Sequence, residues 1–239
     1  MRSAGSAAPT PEGRVAPRRA PAQIRAMPDD LVLYGNDDYT SPYVFSAFVT
    51  LKEKNVPFRV EVLSLERKEH LRPEYAGPSF TGRVPALRHG DFWLAESSAI
   101  DEYVDEAFAP PAHPRLYPQD VRARARVRMI QAFLRSDLMP VRAERPTSTF
   151  FAGEKAKPFT AEGKAAADRL VAIADRFLPE GAAFVAASFT PADADLALML
   201  QRLVHNGDPC PERLARYANT VFARPSVRAW LAKTKWKDR

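Results

Sequence analysis

Leu31-Val32-Leu33-Tyr34-Gly35-Asn36-Asp37-Asp38-Tyr39-Thr40-Ser41-Pro42 is the stretch that decides the fold. Its first four residues form an apolar run of strand length, and Gly35 to Asp38 favour a loop. Ser41 is a preferred N-cap and Pro42 is pre-organised for the first helical position, so a helix opens there. Val44, Phe45, Phe48, Val49 and Leu51 carry it at helical spacing to Asn55. Phe58 to Leu65 reads as a second strand, with Val60, Val62 and Leu63 set against Arg59 and Glu61. A strand, a helix and a strand in this order build a parallel pair.

Further along, a short helix is predicted around Arg72 to Ala76. Val84-Pro85-Ala86-Leu87 and Phe92-Trp93-Leu94 flank His89-Gly90-Asp91, the pattern of a tight hairpin. Ser97 or Ser98 then caps a helix to about Phe108. Pro110, Pro111, Pro114 and Pro118 mark a linker over residues 110–118. The rest of the chain reads as helical: Asp120 to Leu138, kinked or stopped at Pro140, then 161–178, 191–205, about 211–220 and about 225–235. The 191–205 helix is apolar nearly all round and belongs at the centre of a bundle. The expected organisation is an extension over residues 1–27, an α/β domain over 28–109, the linker, and an all-helical domain over 119–239.

Composition narrows the function. Of the formal charge of +6, four units lie in residues 1–27, where five arginines face one glutamate. The remainder is nearly neutral, with basic and acidic side chains interleaved, so the basic stripe of a nucleic-acid binder is missing. No apolar run approaches the roughly 18 residues of a membrane span, and none follows the plan of a secretory signal. A single cysteine, Cys210, excludes an internal disulfide and a four-ligand thiolate metal site and suits a reducing compartment. A cytoplasmic protein is expected. Residues 1–27, rich in Ala, Pro and Arg, hold too little apolar surface to order; Met27 is an alternative start.

Several motifs have both an ordinary and a functional reading. Thr190-Pro191-Ala192-Asp193 forms a capping box, with Phe189 placed to staple back onto the helix; this concerns folding. The proline of Val84-Pro85 opens a strand, where it fits only at an edge or a cis bond. Left unpaired, the Val84 backbone can bind a peptide-like ligand. Glu96-Ser97-Ser98 offers free helix amides, a hydroxyl and a carboxylate, a set that accommodates both charges of an α-amino acid group. Ser41 puts a hydroxyl at a helix N-terminus, where the dipole favours an anion.

Taken in order, a serine at the first helix start, Val-Pro before the third strand, Glu-Ser before the last helix of an α/β module and a proline linker to a helical domain resemble the cytosolic glutathione transferases. The resemblance spans about residues 30–236. Ser41-Pro42-Tyr43-Val44, Arg83-Val84-Pro85, Glu96-Ser97-Ser98-Ala99-Ile100 and Leu134-Arg135-Ser136-Asp137-Leu138-Met139-Pro140 are similar to the bacterial YfcF-type members, which are serine-type and theta-like. It implies a thioredoxin-like N-terminal domain with a four-stranded mixed sheet, a helical C-terminal domain, a homodimer, and glutathione as co-substrate with no metal.

On that resemblance Ser41 donates its hydroxyl to the glutathione sulfur. Val84, before cis-Pro85, pairs with the cysteinyl unit. Glu96 and Ser97 hold the γ-glutamyl end, and His70 lies near the glycine carboxylate. Tyr34 is a rival sulfur ligand, since other classes use a strand-end tyrosine. Tyr39 and Arg135, with Asp38, Ser136 and Asp137, are candidates for the electrophile pocket or, for the polar residues of the later run, an interface. Lacking a thiol at position 41, the chain is suited to conjugation of electrophiles and reduction of peroxides, with roles in detoxification and oxidative stress, and not to a mixed disulfide. The alternatives are a non-catalytic binding protein of the stringent-starvation type and an isomerase of the maleylacetoacetate type.

Overall fold

The computed structural model describes residues 30–235, so the expected disorder of residues 1–27 lies outside the described residues. Strand β1 (Leu31–Asn36) runs parallel to β2 (Arg59–Leu63) and antiparallel to β3 (Ala86–His89), and β4 (Phe92–Ala95) adds antiparallel to β3. The sheet order is β2-β1-β3-β4, a mixed four-stranded sheet. Helices α1 (Pro42–Glu53) and α3 (Ser97–Ala107) pack on each other, and α2 (Pro73–Ser79) packs near β4. Alternation along β1 separates the two faces. Leu31 and Leu33 enter the core with Phe45 and Phe48 of α1, whereas Tyr34 stacks on Trp93 at 5.0 Å and meets Tyr75 of α2 at 5.4 Å.

The second unit is helical: α4 (Val121–Ser136), α5 (Met139–Glu144), α6 (Ser148–Phe151), α7 (Ala161–Phe177), α8 (Pro191–Val204), α9 (Glu212–Phe222) and α10 (Pro225–Leu231). Helix α8 is buried from Pro191 to Leu203 and touches α1, α4, α7 and α9, the central place expected of an all-round apolar helix. Its start is fastened as the capping box requires: the Asp193 carboxylate accepts from Thr190 N at 2.8 Å and Thr190 Oγ1 at 2.9 Å, and also from Val185 N and Tyr217 Oη. Phe189 packs edge-on against Phe184 and beneath Arg224. Thioredoxin-like sheet and helical bundle together form the expected architecture. No helix among the described residues is long and apolar enough to cross a membrane.

Some local expectations differ from the structure. The second strand is shorter than Phe58 to Leu65, and the short helix continues past Ala76 to Ser79. Helix α4 ends at Ser136, ahead of Pro140, because Leu138 takes a left-handed conformation (φ 61°); Pro140 lies in the first turn of α5, where it needs no amide partner. Neither Ser97 nor Ser98 caps α3. Glu96 occupies the cap position, and Ser97 is the first helical residue.

Two buried ionic networks join the parts. Lys54, fully buried at the end of α1, donates to Asp105 Oδ1 at 2.8 Å, Asp105 O at 3.2 Å and Pro114 O at 2.5 Å, which satisfies all three of its protons. Asp105 in turn accepts from the amides of Leu116 and Tyr117, so the proline-rich linker is clamped to α3. The second network centres on Arg135 of α4, which donates to Asp195 Oδ2 at 2.6 Å, to Ser97 Oγ at 3.0 Å and to Ser46 Oγ at 3.1 Å. Asp101 lies 3.6 Å away. Gln131 bridges the carboxylates of Asp101 and Asp195 with one amide, at 3.2 and 3.1 Å.

Removing one partner of a buried ion pair leaves the other uncompensated, which costs about 3–5 kcal/mol. Lys54→Met is therefore expected to lower the unfolding free energy by about that amount in urea titrations. Burial, opposed by Arg135 and aided by the nearby Asp195 charge, pushes the Asp101 carboxyl up to about 7 from a usual 3.8. Between about pH 4 and 7 the native state thus holds a proton that the unfolded chain has released, and this group's contribution falls as pH rises. Asp101→Asn is expected to gain stability relative to the parent across that window, by no more than about 4 kcal/mol, as read from denaturation at each pH.

Candidate functional site

The strand register gathers the motifs. Because β1 and β3 are antiparallel with Tyr34 opposite Ala86, the residues preceding β3 lie beside the C-terminal end of β1. Ala86 also faces Ala95, which brings Glu96 and Ser97 to that end. Parallel pairing of β1 with β2 sends the segment after Leu63, including His70, the same way. Ser41, Val84, Glu96, Ser97 and His70 thus occupy one end of the sheet although they are spread over more than 50 residues.

Ser41 is the N-cap of α1: its Oγ accepts from Val44 N at 3.3 Å. Among the described residues no acceptor takes the hydroxyl proton, so the O–H, with its oxygen already polarised by an amide, remains able to donate outward. The loop that presents it is held by Asn36, buried at the end of β1. Asn36 Oδ1 accepts from Ser41 N at 3.3 Å, and its amide donates to Thr40 Oγ1 at 3.1 Å and to Asp38. From the helical unit, Thr147 Oγ1 donates to Thr40 O at 2.6 Å.

The Val84–Pro85 bond is cis. Pairing of β3 with β1 stops at Ala86, and the Val84 N–H and C=O meet no partner among the described residues. An extended peptide unit has a donor and an acceptor available there.

Glu96 has φ 68° and an exposed side chain, a backbone region that non-glycine residues seldom adopt. No side chain caps α3, so its first amides are free for an anion. The buried Ser97 hydroxyl accepts from Nε and Nη2 of Arg135 at 3.2 and 3.0 Å. With its lone pairs engaged, it can only donate. The end of the sheet therefore offers a carboxylate at Glu96 for a cation, and a hydroxyl and amides beside it for an anion.

His70 lies in a 3₁₀ turn (Glu69–Leu71) pinned from below, since Glu69 accepts from Ser64 N at 2.8 Å. That amide, followed by Arg67 and Arg72, holds the Glu69 carboxyl below its usual range. The Nδ1 of His70 is buried without a hydrogen-bond partner among the described residues.

Tyr34 is held in the aromatic group with Tyr75 and Trp93 on the α2 face. Tyr39 packs edge-on against Trp230 of α10 at 5.4 Å, beneath the Lys233 ammonium. Arg135, expected at the electrophile pocket or at an interface, has its guanidinium engaged by Asp195, Ser97 and Ser46 at the junction of the two units, where it also lines a small cavity behind α1. Ser136 Oγ donates to Ala132 O, and Asp137 is paired with Arg169 and the Leu138 amide, so both serve the helical unit. Burial pushes the Cys210 thiol up to about 11, which leaves it protonated and unreactive at neutral pH. No group of three potential metal ligands occurs among the described residues. Asn36, Thr147 and the coupling of Ser97 to Arg135 were not legible in the chain alone, because nothing local separates a buried Asn or Thr from a loop one.

Residues 40–107 match the family model described as glutathione S-transferase, N-terminal domain, and residues 120–235 match the corresponding C-terminal domain. Glutathione S-transferase theta-1 of Mus musculus is 32% identical over 185 residues, covering 74% of this chain and 76% of its own. Among solved structures, a Burkholderia glutathione transferase homolog with bound glutathione superimposes with a TM-score of 0.69 at 36% identity, over 85% of this chain and 96% of that one. A Sulfitobacter homolog, also with bound glutathione, gives a TM-score of 0.63 at 25% identity, over 85% and 97%. With both family models matched in register and a theta-class relative aligned over most of its length, the chain belongs to the glutathione S-transferase family.

Proposed function

We propose that this protein is a serine-type glutathione transferase, similar to the bacterial YfcF-type members, that binds glutathione at the C-terminal end of β1, keeps its sulfur as thiolate and transfers it to electrophiles. The observation that carries this reading is the Ser41 hydroxyl, fixed as acceptor by Val44 N and left with a proton to donate at the α1 N-terminus. Val84 receives the cysteinyl backbone, Ser97 and the first amides of α3 the γ-glutamyl carboxylate, Glu96 its ammonium, and His70 the glycine carboxylate.

A free thiol titrates near about 8.5, and lowering that by about two units needs about 2.7 kcal/mol of preferential anion stabilisation. One charge-assisted hydrogen bond contributes about 1.5–3 kcal/mol, and the helix dipole about 0.3–1 kcal/mol more. The thiol proton leaves to solvent. The sulfur lone pair then forms the new bond to the electrophilic carbon while the leaving group departs with its electron pair. Reduction of a peroxide uses the same thiolate, which takes the terminal peroxide oxygen as the O–O bond breaks and the alcohol leaves; a second glutathione then displaces that oxygen as water and forms the disulfide. A pure interaction module has no use for this donor set, which favours an enzyme over a binding protein. A cytoplasmic homodimer completes the proposal; Phe80, 83% exposed, with Val121 and Met129, presents apolar surface that a second copy would cover.

Ser41→Ala is expected to return the bound glutathione thiol toward its free value in ultraviolet thiolate titrations. Conjugation should fall by on the order of 10- to 100-fold in kcat/KM, while Tyr34→Phe changes it by no more than about twofold. Equal activity of the Ser41 variant and the parent would sink the assignment. Sedimentation equilibrium at micromolar concentration should show twice the chain mass; a monomer would remove the dimer.

A further inference from the structure

Behind the first turn of α1 lies a small cavity of about 20 Å³ lined by Pro42, Tyr43, Leu134, Arg135 and Arg142, and by Asp195, Leu198, Met199 and Arg202 of α8. Three guanidiniums line it, and among the described residues only one has an acidic partner. Arg135 is held by Asp195 at 2.6 Å and lies 3.6 Å from Asp101. Arg142 donates to Arg135 O at 2.6 Å and to Tyr43 Oη, and lies over the Tyr43 ring. Arg202, 3% exposed, donates to Arg145 O at 2.5 Å, and its Nε is buried without a partner. Neither Arg142 nor Arg202 meets a carboxylate among the described residues.

An unmatched buried charge is costly, and an arginine does not escape the cost by losing its proton at neutral pH. Burial, and then the neighbouring Arg142, push Arg202 down to about 9, which still leaves it charged. Asp195 cannot supply the missing charge, because it is shared by Arg135 and Gln131. The volume suits about one water-sized group, so an anion can enter only with a small end, the rest of its molecule remaining outside. Pro42 and Tyr43 form part of the wall, and Ser41 directly precedes them.

We infer that Arg142 and Arg202 form a subsite for a carboxylate on the second substrate, so that the protein conjugates acidic electrophiles in preference to neutral ones. The inference rests on the transferase reading and names the acceptor class for it. The carboxylate takes donors from Arg142 and from the unpaired Arg202 Nε, and its negative charge offsets the repulsion between the two cations.

The test compares 4-chloro-3-nitrobenzoate with its methyl ester, each rate divided by the uncatalysed rate with glutathione. In both, sulfur bonds to the chlorine-bearing carbon and chloride leaves with the bonding pair. The parent protein should favour the acid by at least about tenfold in kcat/KM, and Arg142→Gln should abolish that preference while changing the ester by less than about twofold. A second arm needs no turnover: with S-methylglutathione bound, benzoate should bind at least about tenfold tighter than benzamide by calorimetry, and alike to the variant. Equal treatment of acid and ester, or equal affinity for benzoate and benzamide in the parent, overturns the subsite. An unshifted glutathione thiol with neither acceptor turned over overturns the transferase reading instead, and the calorimetric comparison then decides the subsite by itself.

Discussion

The half-buried guanidinium of Arg135, held by Asp195 with Asp101 close by, is the constraint on which this structure turns. Arg135 cannot be left unpaired in the interior, and its partners come from three other helices: Ser46 on α1, Ser97 and Asp101 on α3, and Asp195 on α8. Satisfying one cation therefore sets how the sheet-bearing unit sits on the helical one. The same contact governs the end of the sheet, since Arg135 occupies the lone pairs of Ser97 and leaves that hydroxyl only a proton to offer.

Ser41 repeats that logic on a smaller scale. An amide of its own helix donates to the oxygen, and among the described residues the hydroxyl proton has no acceptor. Two hydroxyls with protons left to donate, together with an unpaired strand backbone at Val84, are what the proposed binding of a peptide with an anionic sulfur and a terminal carboxylate rests on. Preorganisation is what makes such donors effective, because they need not reorient when charge appears. The loop carrying Ser41 is tied from within by Asn36 and from the helical unit by Thr147, so the position of the hydroxyl depends on both halves.

Charge inside the helical unit is distributed unevenly. Lys54 and Arg135 have acidic partners at close range, whereas Arg142 and Arg202 rest on carbonyls and a phenol. A protein that pairs these other buried cations so completely leaves an opening for an outside anion where it does not. That imbalance, next to the helix that carries Ser41, is what extends the reading from the thiol donor to its acceptor.

By itself the sequence determined what local chemistry can determine. Periodicity placed the strands and most helices, Ser41-Pro42 and Thr190-Asp193 marked helix starts through cap preferences, and the central helix was visible in its lack of a polar face. The order of Ser41, Val84-Pro85 and Glu96-Ser97 made the family legible. Tertiary structure alone decided the rest, because it depends on which residues meet at long range. Ser97 is engaged by a residue 38 positions away, Tyr34 is turned to the opposite face by strand alternation and packing, and Arg135 is drawn into an ionic network beside a small cavity. A one-dimensional pattern records spacing along the chain; burial and charge partners are properties of the assembled volume.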